Sequence, residues 1–188
     1  MTLGDIYEEI YKIHTDQLDL EDVATSDRPV LVVFSAIPGS GKSELSRRLE
    51  SDYGYLRITN KLIRESIAQS GYDDVVIGEY TIWFLNKLTK TIRPNIVFDR
   101  NIDQWYGPSK SWASENNYRY IMVSINVSTD ILNRRLFQRE GSMNSKAHEV
   151  LEFYSKQHDE IRNYINASIY LNDNYDIDAA ARSIANVK

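Results

Sequence analysis

Cysteine is absent from the chain, which excludes disulfides, thiolate metal sites and a thiol nucleophile together. Histidine is scarce, and its three scattered residues offer no spacing for a dedicated zinc site. No apolar run approaches the roughly 20 residues that cross a bilayer, and the N-terminus carries no basic-then-apolar leader. A cytoplasmic protein with no membrane partner is therefore expected, and the Asn-x-Ser sequons at Asn126 and Asn166 read as chance. An excess of basic residues is missing too. With 22 Lys and Arg against 27 Asp and Glu, the net charge of −5 disfavours broad, phosphate-driven nucleic-acid binding, though a local basic pocket stays open.

What remains is enough for one domain: 188 residues give ample core, and no repeat, low-complexity tract or linker divides them. The richest stretch is Val30 to Ser43. Its first half is a short apolar, β-branched run bounded by turn residues, the pattern of a fully buried strand. The run empties into Pro38-Gly39-Ser40-Gly41-Lys42-Ser43, and a polar helical pattern follows from Glu44. Strand, glycine loop, Lys-Ser and helix is the order of a phosphate-binding P-loop. Glycine lets backbone amides converge on a polyanion, and the helix start adds unsatisfied N–H groups and a positive dipole end. Lys42 would reach the β- and γ-phosphates of ATP, and the Ser43 hydroxyl would ligate Mg²⁺. One position departs from the strict pattern, which has glycine where this chain has Ala36; the first turn should accordingly have negative φ.

Elsewhere strands and helices alternate. Brief apolar runs at Tyr55–Ile58, Asn95–Phe98, Tyr120–Val127 and Ile169–Leu171 predict four further strands. Helical spacing covers residues 44–50, the segment after Thr59-Asn60, and residues 75–91, 129–139, 146–163 and 177–187. Residues 102–117 form a loop or short helix, and Glu140 to Ser145 is a flexible connection. An amphipathic helix over 4–14 and an acidic lead-in to Arg28 precede the first strand. The alternation implies a three-layer α/β domain with a parallel sheet.

Ligands in such sheets bind at the carboxyl ends of the strands, where three more groups fall. Asp99 leaves the third strand, placed to hold Mg²⁺ or to take a proton from an acceptor hydroxyl, with Arg100 and Asn101 beside it for a polar or anionic acceptor. Lys61 and Arg64 stand three apart on one helical face after the second strand, suited to clamping an anion or simply to solvation. Arg135 and Arg139 share a face next to the flexible connection, the arrangement a closing lid needs to neutralise a transferring phosphoryl group; a plain basic helix face is the alternative.

With these residues assembled, the chain resembles the P-loop kinases of small molecules and nucleotides over residues 29–188. Pro38 to Ser43 and the Asp-x-Asn at Asp99–Asn101 look like polynucleotide 5′-kinases and zeta-toxin-like kinases, and Thr59…Arg64 looks like nucleoside-monophosphate kinases. The resemblance implies a five-stranded parallel sheet of order 2-3-1-4-5. It also implies ATP-Mg²⁺ on Lys42 and Ser43, a small lid around 135–146 carrying Arg135 and Arg139, and an adenine bordered by the turn that Asn172 opens. Residues 1–28 would be an added arm. Thr59, Lys61, Arg64, Arg100 and Asn101 would face the acceptor. Polynucleotide kinase-like enzymes place an aspartate base where this chain has Lys61. Either Asp99 takes that role or the acceptor is already an anion.

The expected function is thus an ATP-dependent phosphotransferase acting on a small acceptor, a nucleotide, nucleoside or related metabolite. A polynucleotide 5′-hydroxyl kinase and a catalytically impaired ATP-binding regulatory or toxin–antitoxin module stay open as alternatives. Oligomeric state is left open.

Overall fold

The run that dominates the sequence becomes β1, Val30–Ala36, buried at every position because both of its faces are covered. The computed structural model describes residues 2–72, 74–140, 145–162 and 164–187; within them the side chains of 136, 139, 140, 145–148, 150 and 162 lie outside the description. The other strands are β2 (Leu56–Thr59), β3 (Ile96–Asn101), β4 (Arg119–Ile125) and β5 (Ile169–Leu171). All pairings in the sheet are parallel, in the order β2-β3-β1-β4-β5. That is the order the resemblance implies.

The helices are α1 (Leu3–Asp16), α2 (Lys42–Tyr53), α3 (Asn60–Ser70), α4 (Ile77–Thr91), α5 (Tyr106–Glu115), α6 (Thr129–Glu140), α7 (Ser145–Arg162) and α8 (Ile177–Ala185). Residues 102–117, expected as a loop or short helix, hold a 3-10 turn at Asp103–Trp105 and then α5. Side chains that alternate along the strands feed two cores. Leu31, Val33, Ile58, Ile96, Phe98 and Met122 pack under α1, α3, α4 and α5. Val30, Val32, Phe34, Val97, Ile121 and Val123 pack under α2 and α8.

Local chemistry sets the ends. Thr2 and Asp5 form a reciprocal capping box at α1. The Thr59 hydroxyl accepts from the Leu62 amide to open α3, and Asp176 accepts from Ala179 to open α8. Helix α1 packs on α3 and α4, with Tyr7 and Ile10 in the larger core. His14 is buried at its end; Nδ1 lies 3.2 Å from Tyr80 Oη, the ring stacks on Phe84 at 4.3 Å, and Nε2 has no partner.

One irregularity positions the site. Between β1 and β3 the register runs Val32 to Val97, then Phe34 to Asn101, so β3 advances two residues further than its neighbour. Asp99 and Arg100 lie in the extra length.

Candidate active site

The loop after β1 folds as its glycines allow. Gly39 and Gly41 have φ of 84° and 98°, in the left-handed region that a side chain disfavours, and Gly41 caps α2. Ala36 is buried in β1, and no left-handed residue occurs before Gly39, so alanine there meets no backbone demand for glycine. The α2 N-terminus begins directly at this loop, and the Gly41 carbonyl accepts from the Glu44 and Leu45 amides at 3.1 Å each. Pro38, Gly39, Gly41, Lys42 and Ser43 line a cleft of about 590 Å³ together with Arg135 and Tyr175. Ser40 is fully buried, and its hydroxyl has no partner among the described residues.

Two side chains that are remote in sequence fasten this loop. Arg135 Nη1 donates to the carbonyls of Gly39 and Ser40, both at 3.2 Å. The Tyr175 hydroxyl donates to the Ser40 carbonyl at 3.3 Å, and burial pushes that phenol up to about 12. A Cβ on Gly41 would sit 2.6 Å from the Tyr175 oxygen. Gly41→Ala should therefore cost about 1–3 kcal/mol through its backbone conformation alone. Adding Tyr175→Phe should relieve the contact without restoring stability, as two thermal melts would show; a Gly41→Ala chain that melts like wild type contradicts this geometry.

At the loop's other end, Ser43 Oγ donates to Asp99 Oδ1 at 2.7 Å. Arg57 grips the second oxygen, Asp99 Oδ2, through Nε at 3.1 Å and Nη2 at 2.7 Å, and reaches Glu50 at 3.4 Å. The Asp99 side chain is 5% exposed. Both of its oxygens are thus engaged, which suits a metal-organising carboxylate better than a proton acceptor waiting for a hydroxyl.

The adjacent residue points the other way. Arg100 lies over the Trp105 ring at 5.1 Å, and its Nε and Nη1 are buried with no partner among the described residues. Burial, and then the charge of Arg64, hold its guanidinium below the usual range. Thr59 pairs with Asp99 in the sheet, so Asn60, which opens α3, and Arg100 follow side by side; Asn60 Oδ1 is buried with no partner among the described residues. Lys61 and Arg64 both lie in α3: the Lys61 side chain is 84% exposed and pairs with Glu65 at 3.7 Å, whereas the charge of Arg64 is felt at Arg100.

The remaining candidates have local duties. Thr59 caps α3, and Asn101 Oδ1 accepts from Asp103 N at 3.2 Å and Ala36 N at 3.4 Å, bracing the root of the loop. Asn172 is exposed and is not among the cleft-lining residues; its carbonyl accepts from Tyr175 N, and Tyr175 is the residue of that turn that reaches the loop. The Arg139 side chain lies outside the described residues, as do residues 141–144 of the connection beside it.

Sequence reasoning missed Arg57 and Tyr175, and also a buried cluster behind the loop. Ser35 Oγ donates to Asp103 Oδ1 at 2.6 Å; His158 Nδ1 lies 3.2 Å from Ser35 Oγ and 3.3 Å from Asp103 Oδ2, and its Nε2 lies 3.0 Å from Asn126 Oδ1. Its composition is that of a hydrolase triad, but the serine proton goes to the aspartate and the hydroxyl is 1% exposed. The cluster instead ties α7 to the strand that carries the loop. Arg57 had one signal, a charge at the polar phase of an alternating strand. The cluster had none, since its members are scattered from Ser35 to His158.

The fold is that of the P-loop kinases. No family model matches the chain, and no curated protein matches it in sequence. Among solved structures it is similar to the shikimate kinase of Acinetobacter baumannii in complex with shikimate, at 16% identity and a TM-score of 0.54, over 84% of this chain and 91% of that one. It is also similar to the APS kinase of Mycobacterium tuberculosis in complex with AMPPNP and APS, at 15% identity and 0.52, over 85% and 96%. An uncharacterised protein from Eubacterium ventriosum gives 17% and 0.56, over 82% and 95%. Among the described residues, no helix is long and apolar enough to cross a membrane.

Proposed function

We propose that the chain is a Mg²⁺- and ATP-dependent phosphotransferase, working in the cytoplasm on a small acceptor: a nucleotide, nucleoside or related metabolite. The observation that carries this reading is the Ser43–Asp99 pair, 2.7 Å apart at the mouth of a left-handed glycine loop. The buried, unpartnered Ser40 hydroxyl and the open cleft beside it fit a triphosphate. Ser43 and Asp99 would hold the Mg²⁺, and MgATP bound there would supply the phosphoryl group. Lys42 and the α2 N-terminus would hold negative charge as it moves toward the leaving oxygen. Arg135, with Arg139 as the second lid residue, would add positive charge above the loop.

The acceptor side is built for an anion. Arg100 Nε and Nη1 are buried donors with no partner among the described residues, and Arg64 adds a second positive charge. A phosphate or carboxylate there would satisfy donors that otherwise stay unpaired at a cost. Lys61 would stand at the rim, with Thr59 and Asn101 framing the floor. With lysine at position 61 and both Asp99 oxygens engaged, the accepting oxygen is best supplied as an anion that needs no base.

The test is an ATP-consumption assay over a panel of phosphorylated and carboxylated acceptors. Arg100→Met and Arg64→Met should each raise the acceptor KM about 10- to 100-fold, the loss of a charge-assisted hydrogen bond, while leaving ATP affinity unchanged. If labelling appeared on oligonucleotide 5′-ends alone, a polynucleotide kinase would replace this reading. ATP binding with no turnover on any acceptor would favour the impaired module.

A further inference from the structure

We propose that Arg57 is a built-in counter-ion that keeps a divalent cation out of the Ser43–Asp99 site until nucleotide phosphates arrive, so that metal and nucleotide enter as one unit. This rests on the phosphotransferase reading above. Asp99 and Ser43 supply the protein oxygens at the loop mouth, and Asp99 is the carboxylate of that pair. Its charge is already matched by a guanidinium fork on Oδ2, at 3.1 and 2.7 Å, and its other oxygen accepts the Ser43 hydroxyl. Arg57 is 19% exposed and Asp99 5%, so solvent screens the pair weakly.

A bare dication approaching Oδ1 would meet an oxygen shared with a hydroxyl proton, and a fixed positive charge on the far side of the same carboxylate. Neither group offers it net negative charge. A triphosphate changes the balance, because its oxygens bring several negative charges that Arg57 does not neutralise. Glu50, which takes the remaining Arg57 nitrogen at 3.4 Å, is 46% exposed, so solvent screens its charge far more than that of Asp99. The sequence allows this arrangement because Arg57 shares the strand phase that points toward α2, while Leu56 and Ile58 fill the opposite core.

The experiment is a Mn²⁺ titration of the full chain without nucleotide, followed by electron paramagnetic resonance, with Mn²⁺ standing in for Mg²⁺ at an oxygen site. Wild type should show no saturable site below the millimolar range. Arg57→Met, which keeps the aliphatic stem and drops the charge, should gain one site at least about tenfold tighter. Arg57→Lys should stay like wild type, and Asp99→Asn in the Met background should abolish the gained site. A wild-type chain that holds Mn²⁺ without nucleotide overturns the proposal, and this arm depends on no variant folding. A folded Arg57→Met chain that gains nothing overturns it as well. Adding ATP separates the two levels: wild type that never binds Mn-ATP refutes the phosphotransferase reading, while the nucleotide-free comparison still judges Arg57 on its own.

Discussion

Lys42→Met is expected to lower phosphoryl transfer by a factor on the order of 100 to 1,000, the range seen when one preorganised charge-stabilising contact is removed. The residue opens α2 and lines the cleft at the glycine loop, where the helix N-terminus already favours anions. Methionine matches the length of the stem and removes only the positive charge. Because that charge matters most when negative charge shifts between phosphate oxygens, kcat should fall much further than ATP affinity. Single-turnover transfer and fluorescent-nucleotide binding on the same preparation separate the two effects. Equal rates for wild type and Lys42→Met across the acceptor panel would dismantle the phosphotransferase reading.

Acid should loosen the N-terminal helix through His14. Burial pulls this imidazole down to about 4 from an ordinary 6.5. Above pH 6.5 the ring is neutral in both folded and unfolded chains, and its titration contributes nothing to stability. Between 6.5 and 4 the unfolded chain takes up the proton and the folded one resists, so stability falls with pH and levels off below 4. The shift corresponds to about 3 kcal/mol. Carboxylates titrate over part of the same window, so the useful quantity is a difference between two chains. His14→Phe keeps a ring on Phe84 and removes the basic nitrogens. Urea unfolding at pH 7 and pH 4.5 should show a markedly smaller loss for the variant than for wild type. Parallel losses would mean that the buried ring does not govern the transition.

The architecture was legible because its signals are local. A β-branched run ending in Gly-Ser-Gly-Lys-Ser reports a buried strand and the loop after it, and Thr59 and Asp176 announce helix starts within three residues of the amides they cap. The site was legible only in its scaffold. Asp99 is visible as a charge closing an apolar run, but its partner Arg57 is 42 residues upstream, and only the β2–β3 register brings them together. Lys61 and Arg64 show what spacing leaves out: both lie in α3 three residues apart, but the Lys61–Glu65 ion pair and the charge of Arg64 felt at Arg100 depend on neighbours that spacing does not name. Tyr175 reaches the loop from the turn that Asn172 opens, where a left-handed Asn174 redirects the chain just before it, a contact no local pattern announces.

The irregular end of β3 divides labour between two neighbours in the chain. Asp99 shares the phase of Val97 and serves the loop, whereas Arg100 shares the phase of Phe98 and serves the opposite side. Loss of a single residue upstream in that strand would bring Arg100 into the place of Asp99 beside Ser43, whereas gain of one would bring Asp99 into the place of Arg100 over Trp105. Substitution can tune either half of the centre separately, but a frame slip of one position would change the occupant of both halves at once.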